Sequence, residues 1–353
     1  MSIDFFSTAQ LATSIVPVLY AIGWALIHFL WQGTLVAGVT ALLLMLTSNA
    51  KAQTRYAISC IALLICALLP LWELMQTGVS SQSDATMVVA RTAIEGGVSN
   101  VELSLRQQLE IWLHSHLLQM VAIWLTVVSL LMCRMLLGLW WLQSYHQGKR
   151  GVAHPALQHQ LDRLSHAFAL SKQVILRVVD DLESPITIGS LRPMVLVPAS
   201  LVTGMSPAHL EALLAHELAH ISRYDYLFNL MQHLIESFLF FHPAVWWISK
   251  KIRNERENIA DDLAASVLGE PRRLALALQE LDHIRFTTPQ LAQAAHGGHL
   301  MSRIKRLVRP EDHSMNWKTA VTLIAATVAG FTLAANAAVP AASPQVAAPV
   351  EIA

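Results

Sequence analysis

Long uncharged runs alternate with charged segments along this chain. Residues 22–46 and 58–72 contain no charged side chain, and residues 117–142 contain only Arg134. A shorter apolar run covers residues 319–336. Because a membrane span needs about 20 apolar residues to cross roughly 30 Å of hydrocarbon, the pattern predicts four transmembrane helices.

Basic residues indicate how these helices are oriented, because loops rich in Lys and Arg stay in the cytoplasm. Lys51 and Arg55 separate the first two runs, and further basic residues follow the third run and precede the fourth. The N-terminus is therefore expected outside. We divide the chain into an N-terminal interfacial segment (1–21), three spans (22–142) with an extracytoplasmic loop (78–113), a cytoplasmic domain (143–318), a fourth span (319–336) and a short disordered extracytoplasmic tail (337–353).

Composition supports a membrane protein and excludes other classes. Only 14% of the residues are charged, against roughly a quarter in an ordinary soluble domain. The net charge of zero provides no field for nucleic acids, so no direct nucleic-acid binding is expected. The three cysteines (Cys60, Cys66, Cys133) lie in predicted spans and are interpreted as packing residues. For Arg134 two interpretations stay open, a partner inside the helix bundle or an extended side chain that reaches the lipid headgroups.

The cytoplasmic segment predicts a small α+β domain. Residues 154–170 have helical spacing of their apolar positions, and residues 174–179 and 184–198 resemble β-strands interrupted by Gly189 and Pro193. Ser206 followed by proline then marks the start of another helix.

That helix contains the sequence His216-Glu217-Leu218-Ala219-His220. Residues four positions apart lie on one face of a helix, so both imidazoles can bind one metal ion. Glu217 lies between them, where it can reach a water on the metal rather than the metal itself. The pattern predicts a Zn²⁺ hydrolase site, which needs a third protein ligand and an open position.

The best candidate for the third ligand is Glu257, in the sequence RNERENIADDLA (253–264). Asp261 follows it by one helical turn and is predicted to accept the free N–H of a zinc-binding histidine. Glu255 is the competing candidate, but it lacks a carboxylate four residues later.

Other polar residues near the motif have less definite roles. Asp225 can orient a ligand or simply mark a helix end, whereas His233 and His242 are interpreted as packing histidines. Tyr224 and Arg253 are both candidates to stabilise an oxyanion. The apolar segment 226–249 is interpreted as two helices of the zinc domain that touch the membrane, because Pro243 interrupts it.

Several segments together resemble the BlaR/MecR-type antirepressor metallopeptidases. They are GWALIHFLWQG (23–33), RYAISCIALLICALLPL (55–71), PITIGSLRPMVLVP (185–198), LLAHELAHISRYD (213–225), FHPAVWW (241–247) and the 253–264 segment. The resemblance implies that His216, His220 and Glu257 bind zinc and that Glu217 is the catalytic base. It also implies the fold class, an α-helical polytopic membrane protein of four spans with a cytoplasmic α+β, zincin-like metallopeptidase domain.

The resemblance further implies a protease of the bacterial inner membrane that cleaves peptide bonds on the cytoplasmic side. The expected substrate is a transcriptional repressor of the winged-helix type, with self-cleavage and a homodimer as further expectations. Sensor members of the family carry an extracellular penicillin-binding domain after the fourth span, which we expect this chain to lack. Two alternatives remain, a quality-control protease similar to the HtpX-type enzymes and a signalling scaffold with a structural zinc.

Overall fold

The computed structural model describes residues 4–80, 105–146, 151–286 and 297–308. The predicted fourth span (319–336), the predicted tail (337–353) and most of the predicted loop (78–113) lie outside the described residues.

Three long helices make up the first part of the chain: α1 (Asp4–Leu46), α2 (Ala52–Ser80) and α3 (Leu105–His146). Within them, Ile15–Leu46, Ala52–Gln76 and Ile111–Tyr145 are long and apolar enough to cross a membrane. These helices correspond to the first three predicted spans.

The first helix differs from the predicted division at residue 21. It continues without a break from Asp4 to Leu46 and contains Pro17 in its interior. Among the described residues, helix α1 therefore crosses the predicted boundary at residue 21. Apolar residues on both sides of Pro17 continue the helical pattern, and prolines are tolerated inside apolar helices of this kind.

The remaining elements form the part of the chain that bears the motif. In chain order they are α4 (Pro155–Ala167), β1 (Ile175–Val179), β2 (Ile186–Ile188), β3 (Met194–Pro198), α5 (Ala199–Gly204), α6 (Pro207–Ser222), α7 (Asp225–Phe238), α8 (Pro243–Leu268), α9 (Pro271–Phe286) and α10 (Gly297–Val308). The predicted helix at 154–170 and the predicted strands are confirmed, and a small sheet accompanies a mostly helical chain.

The sheet contains three strands in the order β1-β3-β2. Strand β3 lies in the middle and is buried along its whole length, because it pairs in parallel with β1 and antiparallel with β2. Strand β2 is consequently an edge strand among the described residues. Its Thr187 pairs with Val195 of β3 and becomes important in the site described below.

The apolar segment 226–249 forms parts of two helices, as predicted. Helix α7 ends at Phe238, and α8 begins at Pro243, whose missing N–H is tolerated in a first helical turn. His242 caps α8, because its Nδ1 accepts a hydrogen bond from the N–H of Ala244 at 3.1 Å.

Helix α8 joins the two parts of the molecule by packing against α1, α2 and α6. Its buried Ile248 lies in one apolar cluster with Phe29 of α1 and Cys66 of α2. The Nε2 atom of His242 donates to the carbonyl oxygen of Leu30 at 3.0 Å, so this histidine packs between helices as interpreted from the sequence.

Candidate metal centre

Helix α6 positions both histidines of the motif. The Ser206 hydroxyl accepts a hydrogen bond from the N–H of His209 and caps the helix, and Pro207 occupies its first turn. One turn separates His216 from His220, and their Nε2 atoms lie 3.1 Å apart. Their rings therefore converge on one point from the same face of the helix.

Helix α8 supplies a carboxylate at the same point. Glu257 Oε2 lies 3.5 Å from Nε2 of His216, and Oε1 lies 3.7 Å from Nε2 of His220. One donor atom from each of the three residues falls within 4.8 Å of the others, so the set can hold a metal ion. The structure thus brings together the three ligands that the sequence predicted.

Two further carboxylates lie behind the imidazole rings. Asp225 Oδ2 accepts a hydrogen bond from Nδ1 of His220 at 2.8 Å. Asp261 Oδ1 lies 3.1 Å from Nδ1 of His216, although the two atoms are not aligned for a linear hydrogen bond. Asp261 lies beside the free ring nitrogen of a histidine, as the sequence predicted. Asp225 both orients His220 and begins helix α7, so the two roles considered for it apply together.

The donor chemistry fits a cation between the three residues. A carboxylate beside each Nδ1 places the single hydrogen of a neutral ring on that atom, so Nε2 of a neutral ring offers its lone pair to a cation. With both rings neutral, two lone pairs only 3.1 Å apart repel each other unless a cation lies between them. Donors bound tetrahedrally at 2.0–2.1 Å are separated by about 3.3 Å, close to the spacing of the two histidine nitrogens.

The electrostatics of the centre favour positive charge. Burial opposes ionisation of Glu257, but the neighbouring His216, His220 and Arg303 lower its pKa below the ordinary value. Burial likewise opposes ionisation of Asp261, yet Arg303 and His216 lower its pKa to about 2. Burial also opposes charge on His216, but Asp261 and Glu257 outweigh it and raise the histidine pKa. The carboxylates therefore remain ionised at neutral pH, as metal binding requires.

Glu217 lies beside the donor set and not within it. The hydroxyl of Thr187 on β2 donates to Glu217 Oε2 at 2.7 Å, which ties this side chain to the edge of the sheet. Both residues line a cavity of about 440 Å³ together with His216, His220 and Glu257. The cavity is large enough for a segment of extended peptide.

Arg303 belongs to this centre, although no role there was predicted for it from the sequence. It belongs to α10 and donates to both oxygens of Asp261, at 2.7 and 2.9 Å. Its Nη1 lies 3.3 Å from Glu257 Oε2. The sequence showed Arg303 only as part of a basic cluster, and no local spacing links it to an aspartate 42 residues earlier.

The competing candidates for the third ligand and for the oxyanion-stabilising residue lie outside the metal cavity. Glu255 Oε1 is paired with Arg55 of α2 at 2.8 Å, and Arg253 donates to Glu236 at 2.6 Å. Glu236 also accepts from His233 Nδ1 at 3.1 Å. Tyr224 is nearly half exposed, with the ammonium of Lys172 over its ring at 4.7 Å. None of these residues lines the metal cavity.

Tyr226 lines the cavity instead, two residues after the tyrosine that the sequence suggested. Its hydroxyl makes no hydrogen bond with the part of the chain that the structure describes, so it is free to donate to a ligand. Burial raises the pKa of Tyr226, which keeps the hydroxyl protonated at neutral pH.

The comparisons with known proteins agree with this arrangement. The family described as the BlaR1 peptidase M56 matches residues 26–278, well over half of the chain. Regulatory protein BlaR1 of Bacillus licheniformis is 30% identical over 169 residues, which is 47% of this chain and 28% of that protein. Regulatory protein BlaR1 of Staphylococcus aureus is 20% identical over 214 residues, 60% of this chain and 36% of that protein.

A third relative is the methicillin resistance mecR1 protein of Staphylococcus aureus, 22% identical over 115 residues, or 33% of this chain. The matched stretch covers only 18% of that protein, so the chain spans a minor part of the length of each of these relatives. The family match, by contrast, includes most of the first membrane-type stretch, all of the second and third, and the whole donor set. The chain belongs to the BlaR1 peptidase M56 family.

Proposed function

We propose that this chain is a zinc metalloendopeptidase of the bacterial inner membrane that cleaves a regulatory protein on the cytoplasmic side. The observation that carries the proposal is the convergence of His216, His220 and Glu257, with Glu217 beside them in a cavity that borders an edge strand. Two imidazoles and one carboxylate with an open position form the ligand set of catalytic rather than structural zinc.

Three residues of the cavity have distinct tasks in this proposal. Zinc, when bound, lowers the pKa of water towards neutrality and polarises a carbonyl group. Glu217, held by Thr187, takes a proton from the attacking water and gives it to the leaving amine. Tyr226 donates its hydroxyl hydrogen to the oxygen that becomes negative as the peptide carbonyl is attacked.

The free edge of β2 offers a way to hold the substrate. Residues 184–187 border the cavity, and the side of β2 away from β3 has no strand partner among the described residues. An extended peptide can add to this edge through main-chain hydrogen bonds and so pass Thr187, whose hydroxyl holds Glu217. Such a site selects unfolded segments or flexible loops of proteins.

The position of Arg55 supports a cytoplasmic site. This residue lies in the first turn of α2, near the basic Lys51, and pairs with Glu255 on the helix that carries Glu257. The metal-binding helix thus lies at the basic end of the second membrane helix, and basic ends face the cytoplasm. Two relatives are named regulatory proteins, which favours a regulatory substrate such as a winged-helix repressor over general quality control.

The test measures metal content and cleavage together on the purified full-length chain. Glu217→Gln should keep about one zinc per chain while cleavage of a candidate repressor, or of the chain itself, falls about 10²–10⁴-fold. His216→Ala and Glu257→Gln should lose metal and activity together, whereas Glu255→Gln should keep its metal. A Glu217→Gln variant that cleaves at the wild-type rate contradicts the proposed mechanism and favours a scaffold with a structural zinc.

A further inference from the structure

Arg134 lies in the third membrane-type helix and has no partner among the described residues. It belongs to the apolar stretch Ile111–Tyr145, and its side chain is exposed. It forms no hydrogen bond or ion pair with any residue that the structure describes. A charged side chain within a membrane span is costly unless it finds water or an opposite charge. No described residue supplies that charge, so an anionic ligand would stabilise Arg134.

A cavity of about 320 Å³ adjoins this arginine. Its walls come from α3, α7 and α8, and they include Arg134, Met135, His233, Glu236 and Trp246. This cavity is separate from the metal cavity, because no residue lines both.

The carboxylate of Glu236 in this cavity already has hydrogen-bond and ion-pair partners. Glu236 Oε1 accepts hydrogen bonds from Arg253 at 2.6 Å and from Gln232 at 3.1 Å, while Oε2 lies 3.1 Å from Nδ1 of His233. Arg253 neutralises Glu236, so no carboxylate of the described residues is left to compensate the positive charge of Arg134. The cavity therefore favours an anion.

A tryptophan in the wall of the cavity favours a position near the lipid headgroups. Trp246 lines the cavity, and its indole N–H donates to the carbonyl oxygen of Phe240 at 2.7 Å. Tryptophan is enriched where a membrane protein meets the headgroup region. Helix α3 also exposes Leu130 and Leu137, about one turn to either side of Arg134. These two side chains provide an apolar surface for an acyl chain.

We propose that this cavity binds the phosphate of an anionic phospholipid, with Arg134 as its charged anchor and the exposed leucines of α3 beside an acyl chain. A guanidinium binds phosphate with two parallel hydrogen bonds, which makes arginine better suited than lysine to this role. Basic pockets between membrane helices on the cytoplasmic side are known to accept lipid headgroups of this class.

The experiment uses the full-length chain in a neutral detergent after removal of bound lipid. Dioctanoyl phosphatidylglycerol is titrated against the protein, and binding is followed by the shift in the thermal unfolding midpoint. Dioctanoyl phosphatidylcholine and inorganic phosphate are titrated in parallel. Lys51→Gln is the control variant, because Lys51 is an exposed cation at the basic end of α2 and lies outside the cavity.

Saturable binding of phosphatidylglycerol is expected in the wild type and in Lys51→Gln. Arg134→Gln should weaken that binding by about tenfold or more, as loss of a charge-assisted hydrogen bond does, and Arg134→Lys should weaken it less. Phosphatidylcholine and inorganic phosphate should bind more weakly than phosphatidylglycerol. Equal binding of inorganic phosphate assigns the cavity to the free anion and overturns the lipid proposal. Equal affinities in the wild type and Arg134→Gln overturn the site altogether.

Discussion

The guanidinium of Arg55 on α2 lies 2.8 Å from the carboxylate of Glu255 on α8. Glu255 is only 3% exposed, and Asn258 donates a hydrogen bond to its other oxygen at 3.1 Å. Two residues later, Glu257 reaches the two histidines. A membrane-type helix and a helix of the metal centre are therefore held together by a buried ion pair close to the metal-binding point.

Removing one partner of this pair should destabilise the folded chain strongly. Arg55→Met leaves the buried Glu255 carboxylate uncompensated, and loss of a buried partner costs about 3–5 kcal/mol. The thermal unfolding midpoint in detergent should fall clearly, and the double variant with Glu255→Leu should recover much of the loss. Lys51→Met, which removes an exposed cation nearby, is the control. A midpoint unchanged by Arg55→Met contradicts the assignment.

Tyr226 should affect the chemical step and not metal binding. Tyr226→Phe removes a single hydroxyl from the cavity, so kcat should fall by about 10²–10³-fold if that hydroxyl stabilises an oxyanion, while KM and zinc content stay close to the wild-type values. Tyr224→Phe makes the same chemical change at an exposed tyrosine outside the cavity and should behave like the wild type. A kcat that is equal in the two variants rules out the role proposed for Tyr226.

The carboxylates behind the histidines should tune metal affinity. Asp225→Asn and Asp261→Asn each remove the charge that orients an imidazole, and such changes typically weaken metal binding about 10–100-fold. Competition with a chelator on the purified chain measures the loss. Asp262→Asn is the matched control, because Asp262 is exposed and pairs with Arg306 instead. If Asp262→Asn weakens binding as much as Asp261→Asn, the loss does not come from the histidine contact.

Stability at acid pH should depend on Glu236. Burial opposes its ionisation, but contacts with His233, Ser249 and Arg253 prevail and lower its pKa from 4.5 to about 2. Because the folded pKa lies below the ordinary value, the stabilisation is complete above about pH 4.5 and is lost as the pH falls towards 2. The difference in unfolding midpoint between the wild type and Glu236→Gln should therefore shrink between pH 6 and pH 3. A difference that is constant over this range contradicts the prediction.

Features that depend on neighbouring positions in the chain could be predicted from the sequence. Uncharged runs predicted three membrane-type helices that the structure contains, and Pro243 predicted the end of the preceding helix. The i, i+4 spacings placed His216 beside His220 and Glu257 one turn before Asp261. These outcomes follow from helix geometry alone, since one turn brings such residues to the same face.

Contacts between distant elements were decided by the tertiary structure. The sequence left Glu255 as a rival ligand, and only the packing of α8 against α2 turns it towards Arg55. Packing of α10 likewise brings Arg303 to Asp261 across 42 residues, and Tyr226 replaces Tyr224 in the metal cavity. Local periodicity determines which side chains share a helix face. The packing of one helix face against another element depends on how the whole fold buries its apolar surface. The residue spacing within a single segment does not contain that information.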